Sequence, residues 1–182
     1  MSRITASALT ACKSSGPSTL QLQYASRTLS DADVVAKKGP HSRPSIPPSL
    51  SLSSYSAPTS LSVILKRTIC IDIDAPFVSA PLLSPIVHLI QPSLRTSTNN
   101  SILESSDKPI LSWLPPNPPP FAAPHRYLFM LFRQPEGFDV AAWTEKFSTM
   151  SRLGRMRWDP DGFVKEAGLG EVLAASSFAA AA

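Results

Sequence analysis

The sequence predicts a mainly β protein of the α+β class, folded around a single core. The chain has 19 prolines but only 7 glycines, and serine is abundant in its first third, which is typical of short extended segments joined by turns. Several segments alternate between apolar and polar residues, whereas helical periodicity is found only near the end of the chain. A length of 182 residues and a hydrophobic fraction of 43% are sufficient for one domain.

The N-terminal third carries the weakest structural signals. Residues 1–18 are rich in Ser, Thr and Ala, so we expect a loose leader there and a single domain over residues 19–182. One strand is predicted in TLQLQYAS, where Leu20 and Leu22 share a face, and a short one around SLSLSSY. The Pro- and Ser-rich residues between these segments are expected to form loops, with a disordered linker as the alternative.

Three apolar segments in the middle of the chain are predicted to be strands. In SLSVILKRTICIDIDAP, isoleucines alternate with a cysteine and two aspartates: Ile69, Cys70, Ile71, Asp72, Ile73 and Asp74. SPIVHLIQP has a proline near each end, and HRYLFMLFRQP is apolar on both faces, as in a central strand. A short strand is also expected at the start of ILSWLPPNPPP. The polar stretch from Ser93 to Lys108 is expected to be a surface loop.

Two short helices and a final strand are predicted near the C-terminus. Asp139 can cap a helix in DVAAWTEKFSTM, where Trp, Phe and Met recur at i, i+4 and i+7. A second helix is expected after Asp159 as N-cap, with Pro160 at its first position and Gly168 at its end. EVLAASSF is predicted to form the last strand.

Charge and cysteine content argue against several classes of function. The net charge of +4 is modest, and no Lys/Arg block reaches the density of a nucleic-acid-binding arm. The densest basic cluster, Arg152, Arg155 and Arg157, is interpreted as solvated surface, with an anion site as the alternative. Cys12 and Cys70 match no disulfide or metal spacing, and no long apolar run is present. We therefore expect a soluble, cytoplasmic protein without a transmembrane segment or a nucleic-acid partner.

Two of the predicted strands carry polar side chains where apolar ones are usual. Asp72 and Asp74 are two residues apart, so in a strand they would share the face opposite the isoleucines. His125 and Tyr127 share a face in the same way. If the two strands are close, a carboxylate can fix the tautomer of the imidazole or keep it protonated, and the phenol adds a donor. His88 is a candidate third member of this cluster.

Such a cluster suits two tasks, holding a small anion or moving a proton near neutral pH, and the residues leave both open. The structural alternative is that Asp74 caps the turn into Ala75-Pro76 and that the histidines are ordinary interior residues. The sequence contains no HxH or HExxH spacing, which would favour a metal site. It also contains no GxSxG elbow, which would favour a Ser-His-Asp hydrolase. We predict neither a metal nor a cofactor.

The order of the motifs resembles the phosphatidylethanolamine-binding protein family, in particular its fungal members. IDIDAP, SPIVHLIQ, PPNPPPFAAPHRYLFMLFRQPEGF and FVKEAGLGEVLAASSF follow the family's D-x-D-A-P strand, P-x-x-H segment, H-R-Y strand and closing G-L-G stretch. The resemblance covers about Leu20 to Phe178. It implies a large central antiparallel sheet packed on a smaller sheet, with short peripheral helices towards the C-terminus.

The resemblance also implies an anion pocket. The residues at the matching positions are Asp72, His88, Pro119, His125 and Tyr127, with Asp74 and Arg126 holding the pocket walls and Asp74 counted among the candidate ligand-binding residues. His125, His88 and Tyr127 are the candidate catalytic residues.

Two departures from the family pattern bear on the ligand. Phe77 and Val78 stand where the family usually has Ser-Arg, which gives the pocket a more apolar rim. Phe121, Ala122 and Ala123 replace the glycines that usually precede H-R-Y, so the backbone is expected to have less freedom to wrap a phosphate. The ligand is therefore expected to differ from phosphatidylethanolamine.

The pattern is similar to that of fungal homologues associated with secondary-metabolite gene clusters, including those that make maleidrides. The resemblance implies that the pocket binds a polyketide-derived carboxylate or anhydride and promotes its condensation or dimerisation, together with other proteins of the pathway. His125 or His88 would shuttle a proton, Asp72 would orient the imidazole, and Tyr127 would stabilise charge on oxygen. The alternative is a non-catalytic protein that binds phospholipid or phosphate, or inhibits a protease or kinase.

Overall fold

A computed structural model describes residues 1–13, 19–24, 26–31, 33–36, 44–53, 65–97 and 102–182. The strands are β1 Thr19–Tyr24, β2 Arg27–Leu29, β3 Val34–Val35, β4 Ser49–Ser53, β5 Lys66–Asp72, β6 Ile86–Thr96, β7 Ile102–Ser105, β8 His125–Arg133 and β9 Val172–Ala180. The helices are α1 Arg3–Lys13, α2 Val140–Phe147 and α3 Pro160–Glu166, and a 3-10 turn spans Leu153–Arg155. The predicted mainly β fold with short helices is confirmed.

The nine strands of the described chain form one continuous sheet in the order β2-β1-β4-β7-β6-β5-β8-β9-β3. Neighbouring strands are antiparallel, except that β3 pairs with β9 in parallel. The sheet curls, so that β1 also contacts β9. β8 lies between β5 and β9, and this position explains why its sequence is apolar on both faces.

The sheet separates two apolar cores. The isoleucines of β5 and the residue after it, Ile69, Ile71 and Ile73, pack in a core that includes residues of all three helices. Cys70 points the other way, into a core to which all nine strands contribute. Because side chains alternate along a strand, Asp72 lies on the same side of the sheet as Cys70.

Helix α1 corrects the prediction for the N-terminus. The loose leader expected over residues 1–18 is wrong for Arg3–Lys13, where Ile4 and Ala8 are buried against the helix-side core. The carboxylate of Asp161, in α3, accepts hydrogen bonds of 2.9 Å from the backbone N–H groups of Arg3 and Ile4. These N–H groups have no partner inside the helix, so α1 is capped by a residue distant in sequence. Residues 14–18 lie outside the described residues.

The surface loop predicted from Ser93 to Lys108 is wrong in part. β6 continues through Pro92 to Thr96, and Ile102–Ser105 form β7, which pairs with both β6 and β4. A proline interrupts a strand unless the ladder is irregular at that point. The β5–β6 ladder shifts its register there, and Ser93 adopts a φ of 57°, so the strand passes the proline at a bulge.

The other predicted elements follow the sequence closely. β1, β4 and β9 form where strands were predicted, whereas the strand expected in ILSW is reduced to a bridge between Leu111 and Ile90. Asp139 caps α2 by accepting from Ala142 N–H, and Asp159 caps α3 in the same manner. The loops expected over residues 37–43 and 56–59 lie outside the described residues, as do residues 54–55 and 60–64 of two predicted strands.

Candidate functional site

Three of the predicted site residues meet where β5 ends and β8 begins. Asp72 is the direct partner of Tyr127 in the β5–β8 ladder, and His125 lies two residues before Tyr127. Since alternate residues share a face, all three project to the same side of the sheet. Nδ1 of His125 lies 2.8 Å from Oδ2 of Asp72. The two strands are therefore adjacent, as the proposed cluster requires.

A β-bulge brings His88 into this cluster. Val87 pairs with Ile71 and Leu89 pairs with Cys70, so His88 is the additional residue on β6. A bulge redirects side chains, and here His88 joins Leu89 on the face of Tyr127. The rings of His88 and Tyr127 meet edge-on, with their centroids 5.0 Å apart. The sequence shows the histidine, but it does not show the bulge that aims it.

These side chains line a cavity of about 490 Å³, a size suited to a small-molecule ligand. Its polar and charged lining residues are Asp72, His88, Asn117, His125, Tyr127 and Arg152. The other lining residues are apolar or proline: Ala75, Pro76, Leu83, Ile86, Leu114, Pro115, Pro116, Pro119 and Met156. The cavity therefore combines a few convergent polar groups with apolar walls.

His125 donates hydrogen bonds from both ring nitrogens. Nδ1 donates to Asp72, and Nε2 donates over 3.0 Å to the carbonyl oxygen of Pro76. A neutral imidazole has only one N–H, so this arrangement fits the imidazolium. Burial favours the neutral ring, but the hydrogen bond and charge of Asp72, with the Pro76 carbonyl, outweigh it and raise the pKa of His125. His125 is thus held as a cation against Asp72.

His88 is held in the opposite protonation state. Its Nδ1 is in hydrogen-bond contact with the carbonyl oxygen of Leu114, which can only accept, so Nδ1 carries the proton and Nε2 is left as an acceptor. Burial lowers the pKa of His88 more than the Leu114 carbonyl and the charge of Asp72 raise it. The ring is therefore a neutral base at the wall of the cavity.

Asp74 does not line the cavity. Its carboxylate accepts from the backbone N–H and Nε of Arg126 at 2.8 Å and from Nη2 at 2.7 Å. The prediction that Asp74 joins Asp72 in binding the ligand is therefore not supported, because β5 ends at Asp72 and the chain then turns. Instead Asp74 fixes the start of β8, in the supporting role expected for it and Arg126. Its own N–H donates to Oδ1 of Asp72 over 2.8 Å.

The proline-rich loop forms one wall through Pro119. Ala122 N–H donates to the Pro119 carbonyl over 3.2 Å, closing a turn with Pro120 and Phe121 at its centre. Phe121 has a φ of +67°, which usually favours glycine at this position of a turn. The turn therefore keeps a residue in the left-handed conformation, although Phe121 stands where the family pattern has glycine. The Phe121 side chain is fully exposed beside the loop.

The basic cluster is more than the solvated surface expected from its sequence. Arg152 is exposed but lines the cavity. Nη1 of Arg155 donates over 2.9 Å to the Ser112 carbonyl, and burial together with Arg152 lowers the pKa of Arg155. Arg157 donates from Nε to the carbonyl of Leu82 over 2.9 Å. The spacing of the arginines was visible in the sequence, but their proximity to β6 was not.

The remaining predictions concern metals, thiols and the rim. Within the described ranges, no three His, Cys, Asp or Glu side chains lie close enough to hold a metal ion, and no helix is long and apolar enough to cross a membrane.

Cys70 is buried, and burial raises the pKa of its thiol well above the usual value. Phe77 and Val78 are each 44% exposed, directly after the lining residue Pro76. They lie outside the cavity lining but next to it.

Comparisons with known proteins agree with the fold. The family model described as phosphatidylethanolamine-binding protein matches residues 20–181. Carboxypeptidase Y inhibitor, solved in complex with its cognate proteinase, gives a TM-score of 0.67 at 21% identity, over 90% of this chain and 83% of that chain. The phosphatidylethanolamine-binding protein from Plasmodium vivax gives 0.55 at 12% identity, over 88% and 83% of the two chains. At these identities, the structural likeness bears on the fold alone.

One curated relative is closer in sequence. Phomoidride biosynthesis cluster protein N from Talaromyces stipitatus is 39% identical over 97 residues, which are 52% of this chain and 48% of that protein. The chain thus spans about half the length of the curated relative it matches. Because the family model covers nearly the whole chain, and the fold agrees with it, this chain belongs to the phosphatidylethanolamine-binding protein family.

Proposed function

We propose that this chain binds a polyketide-derived carboxylate or anhydride in fungal secondary metabolism and promotes its condensation or dimerisation. The observation that carries this proposal is the different bonding of two histidines on the wall of a largely apolar cavity: both ring nitrogens of His125 face acceptors, whereas His88 faces one through Nδ1. The similarity to a protein of a phomoidride biosynthesis cluster supports the metabolic context and is compatible with partners in a pathway.

The two histidines have different roles in this proposal. Both N–H groups of His125 are engaged, so it serves as a fixed cation that holds Asp72 and the Pro76 backbone in place. His88 has an acceptor nitrogen and a lowered pKa, so it is the proton acceptor. The base is therefore His88, and the earlier candidate His125 becomes a positioning residue.

The chemical step is a proton transfer followed by carbon–carbon bond formation. Nε2 of His88 takes a proton from the carbon adjacent to the anhydride, and the C–H electron pair moves into an enolate. The Tyr127 hydroxyl donates to the enolate oxygen and stabilises its charge. The enolate carbon then bonds to the conjugated carbon of a second monomer, and the product takes the proton back from His88.

The apolar walls are matched to the rest of such a ligand. Leu83, Ile86, Leu114 and Met156 can cover an alkyl chain, whose burial contributes about 0.8 kcal/mol for each CH₂ group. A phosphoethanolamine head group would gain nothing from these contacts. The lining therefore favours an alkylated carboxylate over a phosphate head group.

Calorimetric titration of the purified protein with a 2-alkylmaleate, phosphoethanolamine and inorganic phosphate tests this proposal. We expect the alkylmaleate to bind at least about tenfold more tightly, a difference of about 1.4 kcal/mol. Leu114→Trp, which fills the cavity, should abolish this binding, whereas Leu173→Trp on the exposed face of β9 should leave it unchanged. Preference for the two phosphate compounds would contradict the proposal and favour the non-catalytic alternative.

A further inference from the structure

The charges around the cavity are unevenly paired. Asp72 is paired with His125, and Asp74 is paired with Arg126, so both carboxylates at the end of the β5 segment already have cationic partners. Three arginines lie close by in one short segment: Arg152, Arg155 and Arg157. None of the three has a carboxylate partner within the part of the chain that the structure describes. The region therefore carries excess positive charge.

Of these three arginines, only Arg152 lines the cavity. The guanidinium groups of Arg155 and Arg157 are occupied by backbone carbonyl oxygens, whereas that of Arg152 makes no hydrogen bond to any of the described residues. Arg152 thus has its full set of donors available to a ligand. Its exposure places it at the solvent side of the cavity.

The backbone that carries Arg152 is held against the cavity walls. Arg155 binds the carbonyls of Ser112 and His88, and Arg157 N–H donates over 2.9 Å to the carbonyl of Leu83. Leu83 and His88 are themselves lining residues, so the segment is fixed to two sides of the cavity. A guanidinium on a fixed backbone is suited to bidentate recognition of a carboxylate.

The two imidazoles of the polar cluster, by contrast, are not suited to binding a carboxylate directly. Nε2 of His88 is an acceptor there, and both N–H groups of His125 are engaged by the protein, so neither imidazole offers a donor to a carboxylate. The anionic group and the reacting group of a ligand are therefore best placed at different parts of the cavity.

We propose that Arg152 binds a carboxylate of the ligand at the mouth of the cavity, so that the cavity selects a carboxylic acid over its neutral esters. This inference rests on the proposed function, since it assigns Arg152 to the recognition of the same ligand. In this arrangement Arg152 determines specificity, and His88 contacts the reacting end of the ligand.

The test uses the full chain and three ligands of equal alkyl length: a 2-alkylmaleate, its monomethyl ester and its dimethyl ester. We expect Arg152→Gln to weaken binding of the dianion by about five- to tenfold and to leave the neutral diester within about twofold. Arg152→Lys should retain most of the affinity, because it keeps the charge. Arg133→Gln removes the same charge at the far end of β8 and should change nothing.

The outcomes separate this inference from the function on which it rests. Equal weakening of all three ligands by Arg152→Gln would indicate a structural role and overturn the assignment of Arg152. Unchanged binding of the dianion would also overturn it, while the proposed function would stand. If the wild-type protein bound none of the three ligands, both proposals would fall.

Discussion

Replacing Asp72 with alanine is expected to lower the free energy of unfolding by about 3 kcal/mol, because it breaks a buried ion pair. Asp72 is 3% exposed, and its two oxygens accept from His125 Nδ1 and from the N–H of Asp74. The variant leaves both donors buried without an acceptor. The figure lies at the lower end for a broken buried pair, since His125 can release its proton. Urea denaturation of both proteins measures the difference.

The loss of stability should depend on pH. The pKa of His125 is higher in the folded protein than in the unfolded chain. The ion pair with Asp72 therefore stabilises the fold fully below the unfolded pKa of about 6.5, and this stabilisation is lost as pH rises through the folded pKa. The difference between wild type and Asp72→Ala should therefore be larger at acidic than at alkaline pH. Asp107→Ala, at an exposed site, is the control and should change stability by less than about 0.5 kcal/mol. A difference that is the same at all pH values would contradict the ion pair.

His88→Gln is expected to lower the rate of product formation by about 100-fold, the usual contribution of a general base. The glutamine amide can still donate to the Leu114 carbonyl, but it cannot accept a proton at neutral pH. The rate is measured by adding purified protein to a cell extract that lacks it and following the condensed product. Titration with the 2-alkylmaleate should show binding within about threefold of wild type, because the variant keeps the cavity lining.

The companion variant His125→Gln separates the two imidazoles. It should lose stability through the broken contact with Asp72, and the protein that remains folded should retain more activity than His88→Gln. Product formation by His88→Gln at the wild-type rate would rule out His88 as the base. Loss of activity only in the His125 variant, at full stability, would return that role to His125.

Part of the site could be predicted from local sequence pattern. Alternation along β5 and β8 is a local property, so it correctly placed His125 and Tyr127 on one face and the three isoleucines of the β5 segment on the other. Side-chain caps are also local, and both C-terminal helices begin at the predicted aspartates. Resemblance to the family added Pro119, and it supported His88, which the sequence had offered only as a candidate third member of the cluster.

The features that were missed depend on contacts between distant parts of the chain. Asp74 is not on the predicted face because β5 ends two residues before it, and Arg126, on another strand, binds its carboxylate. The bulge at His88 depends on the register with β5, and Arg152 reaches the cavity only because its segment is hydrogen-bonded to β6 and its flanking loops. Helix α1 likewise needs Asp161 as its cap. None of these partners can be identified from the local sequence.

The assignment of separate roles to the two imidazoles is tested most directly by their titration in ¹⁵N-histidine NMR spectra of the wild-type protein. We predict that His125 titrates above the usual value of about 6.5, protonated on both nitrogens, and that its titration shifts down in Asp72→Asn. His88 should titrate below that value, with its proton on Nδ1 at neutral pH. A charged His88 beside a neutral His125 at pH 7 would contradict the assignment of His88 as the base.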